Sequence, residues 1–234
     1  MHVPDNLVEN RDLRNKSAVF RDRYHAGEIV AEILAPDYKD LNKGLVLAIP
    51  SGGVPVGISL HKHLGLPLDL IIIRKIQIPG NTEAGFGALS QTGETFLNRE
   101  LIYRLGLGQE EVEAQIEKTR QELTSKDERF RRGRAFPDLK GKRIILTDDG
   151  LASGFSMLAA LRMIRSHQPA QTVVAVPTAP LSSVQMLASE ADRIYSAHVQ
   201  ESGPFAVAGA YQDWYDLSDS DVLEWLEQAR IFRS

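Results

Sequence analysis

At 234 residues, with 43% hydrophobic and 25% charged side chains, the chain can bury a sizeable core and has the balance of an ordinary globular protein. A formal charge of −4 argues against a nucleic-acid footprint built from bulk charge, and the absence of cysteine excludes disulfides, thiolate zinc sites and a cysteine nucleophile. The six His residues are scattered without metal-ligand spacing. No apolar run approaches the roughly 18–20 residues of a membrane span, and the N-terminus lacks an apolar signal core, so a cytoplasmic protein is expected.

Residues 1–16 are polar and charged and read as a loosely held arm. Residues 20–34 have helical spacing, with Tyr24, Ile29, Ile33 and Leu34 as expected core contacts and Ala35-Pro36 as the stop. An apolar strand over 45–49 runs into Pro50-Ser51-Gly52-Gly53, and helical periodicity resumes through Ile58, Leu60 and Leu64. Consecutive glycines expose consecutive backbone N–H groups, which suits an oxyanion or a pyrophosphate; a plain strand-to-helix turn is the other reading.

A strand over 68–73 carries Arg74 and Lys75 at its carboxyl end, followed by a polar loop over 77–83. Residues 84–90 and 95–97 read as two strands joined by the turn composition of Gln91-Thr92-Gly93-Glu94. Residues 110–123 form a long amphipathic helix that continues toward the basic cluster 129–134, read as a solvated helix end with cations against its dipole. Residues 98–136 thus stand as a helical insertion.

Pro137 and Gly141 mark the turn into a short β-branched run, Ile144, Ile145 and Leu146, which has the composition of a strand buried on both faces. Thr147, the acidic pair Asp148-Asp149 and a small-residue loop come next, and helical spacing follows from Leu158 to Ile164. A strand over 172–177, a helix over 181–189 and a last core strand over 193–197 complete the alternation. The C-terminal cap, 200–234, concentrates Phe205, Tyr211, Trp214 and Tyr215, of which Phe205 is the candidate to stack a planar base, and Ser218 to Asp221 cap a terminal helix. Strands alternating with helices at this spacing indicate an α/β fold with a doubly wound, mainly parallel sheet, in one domain over 1–234.

The segment 144–156 carries the chemistry. Carboxyl ends of strands in an open α/β sheet are where ligands bind, and N–H groups at a helix start favour a phosphate. Gly150 and Gly154 permit close approach of the backbone, while Ser153 and Ser156 add hydroxyl donors. Asp148 and Asp149 repel that phosphate but can accept from vicinal hydroxyls or face a hydrated Mg²⁺. A sugar phosphate, with an anion at one end and a diol at the other, meets both demands.

This run resembles the phosphoribosyl-pyrophosphate (PRPP) signature of type I phosphoribosyltransferases. The resemblance implies that family's fold, with a flexible hairpin lid, and transfer of a 5-phosphoribosyl group to a nitrogen of a nucleobase or similar acceptor, with Mg²⁺ and release of pyrophosphate. Asp148 and Asp149 would then meet the ribose hydroxyls and the metal. Thr147, Gly150, Leu151, Ala152, Ser153, Gly154, Phe155 and Ser156 would hold the phosphoribosyl end, and Ser51, Gly52 and Gly53 the pyrophosphate. Family members often carry Arg or Lys where Ser51 stands, so Arg74 and Lys75 are assigned to balance the pyrophosphate. The loop has Ala152 where 6-oxopurine salvage enzymes carry an Asp, which disfavours guanine or hypoxanthine as acceptor. A homodimer is also implied. The other readings are a PRPP- or nucleotide-sensing regulator without turnover, with the basic cluster 129–134 as partner surface, and a different nucleotide-binding enzyme. The latter is disfavoured because neither Gly-x-x-x-x-Gly-Lys-Ser/Thr nor a Gly-x-Gly-x-x-Gly after a first strand is present.

Overall fold

The computed structural model describes residues 2–232, and at positions 82 and 83 the backbone alone. The chain divides into two compact units, residues 1–70 with 137–234 and residues 71–136, where the sequence reading expected one domain with an insertion beginning at residue 98.

The first unit opens with β1 (Leu7–Glu9), α1 (Arg23–Tyr38), β2 (Gly44–Ala48), α2 (Gly53–Leu64) and β3 (Leu68–Leu70). The expected loose arm is corrected here. β1 pairs in parallel with a late strand, Leu7 opposite Ile194, and the Asn6 side-chain amide donates to the carbonyls of Ala188 and Ala191. In α1 the helix runs through Pro36 to Tyr38 and does not stop at Ala35. Pro36 stands on the exposed side of the last turn, where a lost N–H costs least. The buried face is Ala26, Gly27, Val30, Ala31 and Leu34, while Tyr24, Ile29 and Ile33 are only half-buried. Small residues win because α1 packs closely on α2: a Cβ on Gly27 would lie 2.7 Å from Ser59 Cβ and 3.0 Å from Val56 Cα.

The second unit holds β4 (Ile73–Ile78), β5 (Asn81–Ser90) and β6 (Thr95–Leu97), an antiparallel sheet in the order β4-β5-β6, with α3 (Arg99–Leu105) and α4 (Gln109–Arg131). The apolar run 68–73 is therefore not one strand. Its first half ends in the first unit, and Arg74 and Lys75 fall inside β4. The expected loop over 77–83 is mostly strand, turned at Pro79-Gly80, where Gly80 takes a φ of +75°. Arg131, at the end of α4, is 1% exposed; its Nη2 donates to the Ala135 carbonyl at 2.8 Å and its Nε lies 3.4 Å from Asp127 Oδ1. This member of the basic cluster fastens the chain inside its unit and is not a solvated charge.

The chain returns to the first unit with β7 (Arg143–Thr147), α5 (Phe155–Ser166), β8 (Gln171–Pro180), α6 (Leu181–Leu187), β9 (Arg193–Gln200) and α7 (Asp219–Gln228). Its six-stranded sheet has the order β1-β9-β8-β7-β2-β3, and every pair is parallel. From β2 the chain winds outward to β3, and from β7 it winds the other way through β8 to β9. The winding thus reverses between β2 and β7, whose ends align with Ala48 opposite Thr147. Such a reversal opens a crevice beyond the carboxyl ends of the two strands. The strands that flank it are deeply set, with every residue of β2 buried and Ile144 to Thr147 likewise. No helix among the described residues is long and apolar enough to cross a membrane.

Candidate active site

Both loops singled out in the sequence sit at this reversal. After β2 the Pro50–Ser51 peptide is cis, and Gly53 begins α2 against the end of β7. A Cβ on Gly53 would lie 2.7 Å from the Thr147 carbonyl oxygen and 2.9 Å from Asp148 Cα, and one on Gly52 would collide with the Asp149 carboxylate. The Gly-Gly pair is therefore required by contact with the acidic pair itself. Ser51 and Gly52 are half-buried beside it.

Asp148 and Asp149 differ in their surroundings. Asp148 Oδ1 accepts the Asp149 main-chain N–H at 2.8 Å. Burial first, and the neighbouring Asp149 charge second, push its carboxyl well above the ordinary carboxylate range. Asp149 is also raised by burial, but a hydrogen bond and the charge of Arg23 oppose the shift. That bond runs from Arg23 Nε to Asp149 Oδ2 at 2.8 Å, and Arg23 is 6% exposed. The Tyr211 hydroxyl donates to the Asp149 main-chain carbonyl at 2.6 Å, and the Trp214 ring centroid lies 3.8 Å from the Arg23 guanidinium carbon. Sequence reasoning missed Arg23. Only the aromatic cluster 211–215 hinted that a cation was to be stacked there.

The loop that follows is held from beneath. The Leu151 N–H donates to the Thr178 carbonyl at 2.9 Å, Ser183 Oγ donates to the Ala152 carbonyl at 2.7 Å, and Gly154 takes a φ of +75° just before α5. A Cβ on Gly150 would come within 2.6 Å of Val207 and 2.8 Å of the Thr178 methyl. The first amide of α5 to find a carbonyl is that of Leu158, which donates to Gly154. The N–H groups from Ala152 through Met157 donate to nothing among the described residues, which is the ordinary state of a helix start and the requirement of an anion cradle. Ala152, Ser153, Phe155 and Ser156 are exposed there.

Thr147 is 0% exposed and Leu151 is buried, and their main chain is already engaged: the Thr147 carbonyl accepts the Ile49 N–H at 2.9 Å and the Leu151 N–H donates to Thr178. Phe205 is half-buried and lines a cavity of about 370 Å³ with Lys16, Ser17, His198 and Gln200, while Tyr211, Trp214 and Tyr215 gather around Arg23. Arg74 and Lys75 belong to the second unit, where Arg74 Nη2 pairs with Glu122 at 2.7 Å and the stem of Lys75 lies over Gly85.

No group of three or more His, Asp or Glu among the described residues could hold a metal ion. The acidic pair nonetheless suits Mg²⁺, which takes one or two carboxylates and completes its shell with water and substrate phosphate oxygens.

The chain matches the family model described as a phosphoribosyl transferase domain over residues 22–201. It is 34% identical over 211 residues to two Mycobacterium tuberculosis proteins, each named "Putative phosphoribosyl transferase", from strains CDC 1551 / Oshkosh and ATCC 25618 / H37Rv. That alignment covers 90% of this chain and 47% of theirs, so the chain spans about half the length of these relatives. The crystal structure of TT1426 from Thermus thermophilus superposes with a TM-score of 0.75 at 36% identity, covering 89% of this chain and 98% of that one. The resemblance drawn from residues 144–156 is thereby borne out: the chain belongs to the phosphoribosyl transferase family.

Proposed function

We propose that this chain transfers the 5-phosphoribosyl group of PRPP to a nitrogen of a nucleobase-like acceptor and releases pyrophosphate. The observation that carries the reading is the meeting of the Gly52-Gly53 turn, the Asp148-Asp149 pair and the unbonded amides of 152–157 at the one reversal of the sheet. Those amides suit the 5′-phosphate, and the carboxylates suit the vicinal ribose hydroxyls. The Gly53 N–H is taken by the Ile49 carbonyl, so the main-chain N–H groups that suit the pyrophosphate end are those of Ser51 and Gly52, which donate to nothing among the described residues. In the reaction the C1–O bond to pyrophosphate breaks, the C1–N bond forms with inversion, and the proton of the acceptor nitrogen passes to the released pyrophosphate or to water. Positive charge developing at C1 is stabilised by the nearby carboxylates. Bound Mg²⁺ supplies neutralisation of the leaving pyrophosphate.

A panel of nucleobases incubated with PRPP and Mg²⁺, with pyrophosphate release as readout, tests this. Turnover with at least one base is the expected result. PRPP binding with no release from any acceptor would point to a sensing role, and no binding at all would overturn the reading.

A further inference from the structure

Arg23 opens α1, 126 positions before Asp149, and almost none of it reaches solvent. Its Nε donates to Asp149 Oδ2 at 2.8 Å and its Nη1 to the Tyr215 carbonyl at 3.1 Å. One face of the guanidinium lies 3.8 Å from the Trp214 ring centroid, and the Tyr211 and Tyr215 rings stand at 6.0 and 5.9 Å. A planar, permanently charged group that stacks and donates in fixed directions can do this, and a lysine cannot do both.

The consequence for the acids is geometric. A free carboxylate turns about its terminal bond, which has broad minima. With Oδ2 bonded to Arg23, and the main-chain carbonyl of the same residue bonded to the Tyr211 hydroxyl, both the carboxylate and the backbone of Asp149 are held. Oδ1 is the Asp149 oxygen that Arg23 does not hold. The Gly52 backbone packs against the same carboxylate, since a Cβ there would collide with Oδ2 first and with Oδ1 as well.

We propose that Arg23 is the positioning residue of the acidic pair: it turns Asp149 Oδ1 toward the ribose diol and thereby sets affinity for the sugar, not for the phosphate. This rests on the PRPP reading. A group that only held the fold together would, when removed, weaken every ligand alike. A group that aims one carboxylate should weaken ligands that carry a diol and spare those that do not.

Titrations of the full chain with PRPP, ribose 5-phosphate and inorganic phosphate, Mg²⁺ present, separate the cases. Arg23→Met should lower affinity for both sugar ligands by about 10- to 100-fold, the loss of one charge-assisted hydrogen bond, and change phosphate affinity by less than about twofold. Arg23→Lys should recover part of the sugar affinity, and Trp214→Leu should weaken the same two ligands by a smaller factor. Arg23→Met and Asp149→Asn should be non-additive, while Arg23→Met and Asp148→Asn should combine closer to additively. Should Arg23→Met not fold, Arg23→Lys and Trp214→Leu carry the same comparison. Unchanged sugar affinity, or an equal loss for all three ligands, overturns the proposal while wild-type PRPP binding keeps the family reading intact. A wild-type chain that binds neither sugar overturns both.

Discussion

Replacing both acids, Asp148→Asn with Asp149→Asn, is expected to weaken PRPP binding by at least about a hundredfold, because each substitution removes a charged acceptor worth roughly 1.5–3 kcal/mol to a hydroxyl. The single variants should differ in stability. Burial raises the Asp148 carboxyl in the folded chain above its unfolded value, so this group stabilises the fold only while protonated. That contribution is full below the unfolded carboxylate range and is lost as pH rises through the higher folded value. At neutral pH an ionised Asp148 opposes folding, and Asp148→Asn should melt no lower than wild type. Asp149→Asn keeps an acceptor oxygen but removes the counter-charge of a buried guanidinium, so it should melt lower than wild type, by at most the roughly 3–5 kcal/mol that a broken buried pair costs. Calorimetry on the three variants with PRPP titrations in Mg²⁺ checks both halves. Undiminished PRPP affinity in the double variant would remove the acidic pair from the site.

The second large effect is expected at Gly53. Its conformation is ordinary; what forbids a side chain is the end of β7, whose Thr147 carbonyl oxygen and Asp148 Cα would stand 2.7 and 2.9 Å from an added methyl. That backbone cannot swing away as a side chain would. Gly53→Ala should therefore cost about 1–3 kcal/mol, as overpacking does. The melting temperature should fall by roughly 2–10 °C in a chain of this length. The separation between the two strand ends should widen with it, and PRPP affinity should drop. Gly209→Ala is the control, since no heavy atom lies within 4 Å of a Cβ there. Equal melting temperatures for the two variants would mean that the loops can part without loss.

Much of the site could be read locally. A strand buried on both faces shows itself as an unbroken β-branched run, and Ile144 to Leu146 is one, so the acidic pair and the helix start fell into place by order alone. What escaped was long-range. An arginine at the head of a helix looks like any surface charge until the fold brings Asp149 and Trp214 to it. The strand at Leu7–Glu9 is too short for periodicity to show, and its partner lies far along the chain at Arg193–Gln200. The run 68–73 misled for a different reason. Each half is buried in its own unit, Leu70 in one and Ile71 to Ile73 in the other, so hydrophobicity continues across a point where the chain changes sheet. In α1, bulky Ile29 and Ile33 drew attention that belonged to Ala26, Gly27 and Ala31, because a close crossing selects for small side chains.

The stacking of Trp214 on Arg23 gives the molecule an optical reporter. The chain has two tryptophans, and the other, Trp225, packs edge-on against Tyr24 in α1. Emission from the indole at 214 depends on the charge beside its ring, and that charge is one hydrogen bond away from the carboxylate assigned to the sugar. On the proposed reading, PRPP binding is expected to change the Trp214 emission, which a titration reads with no label added.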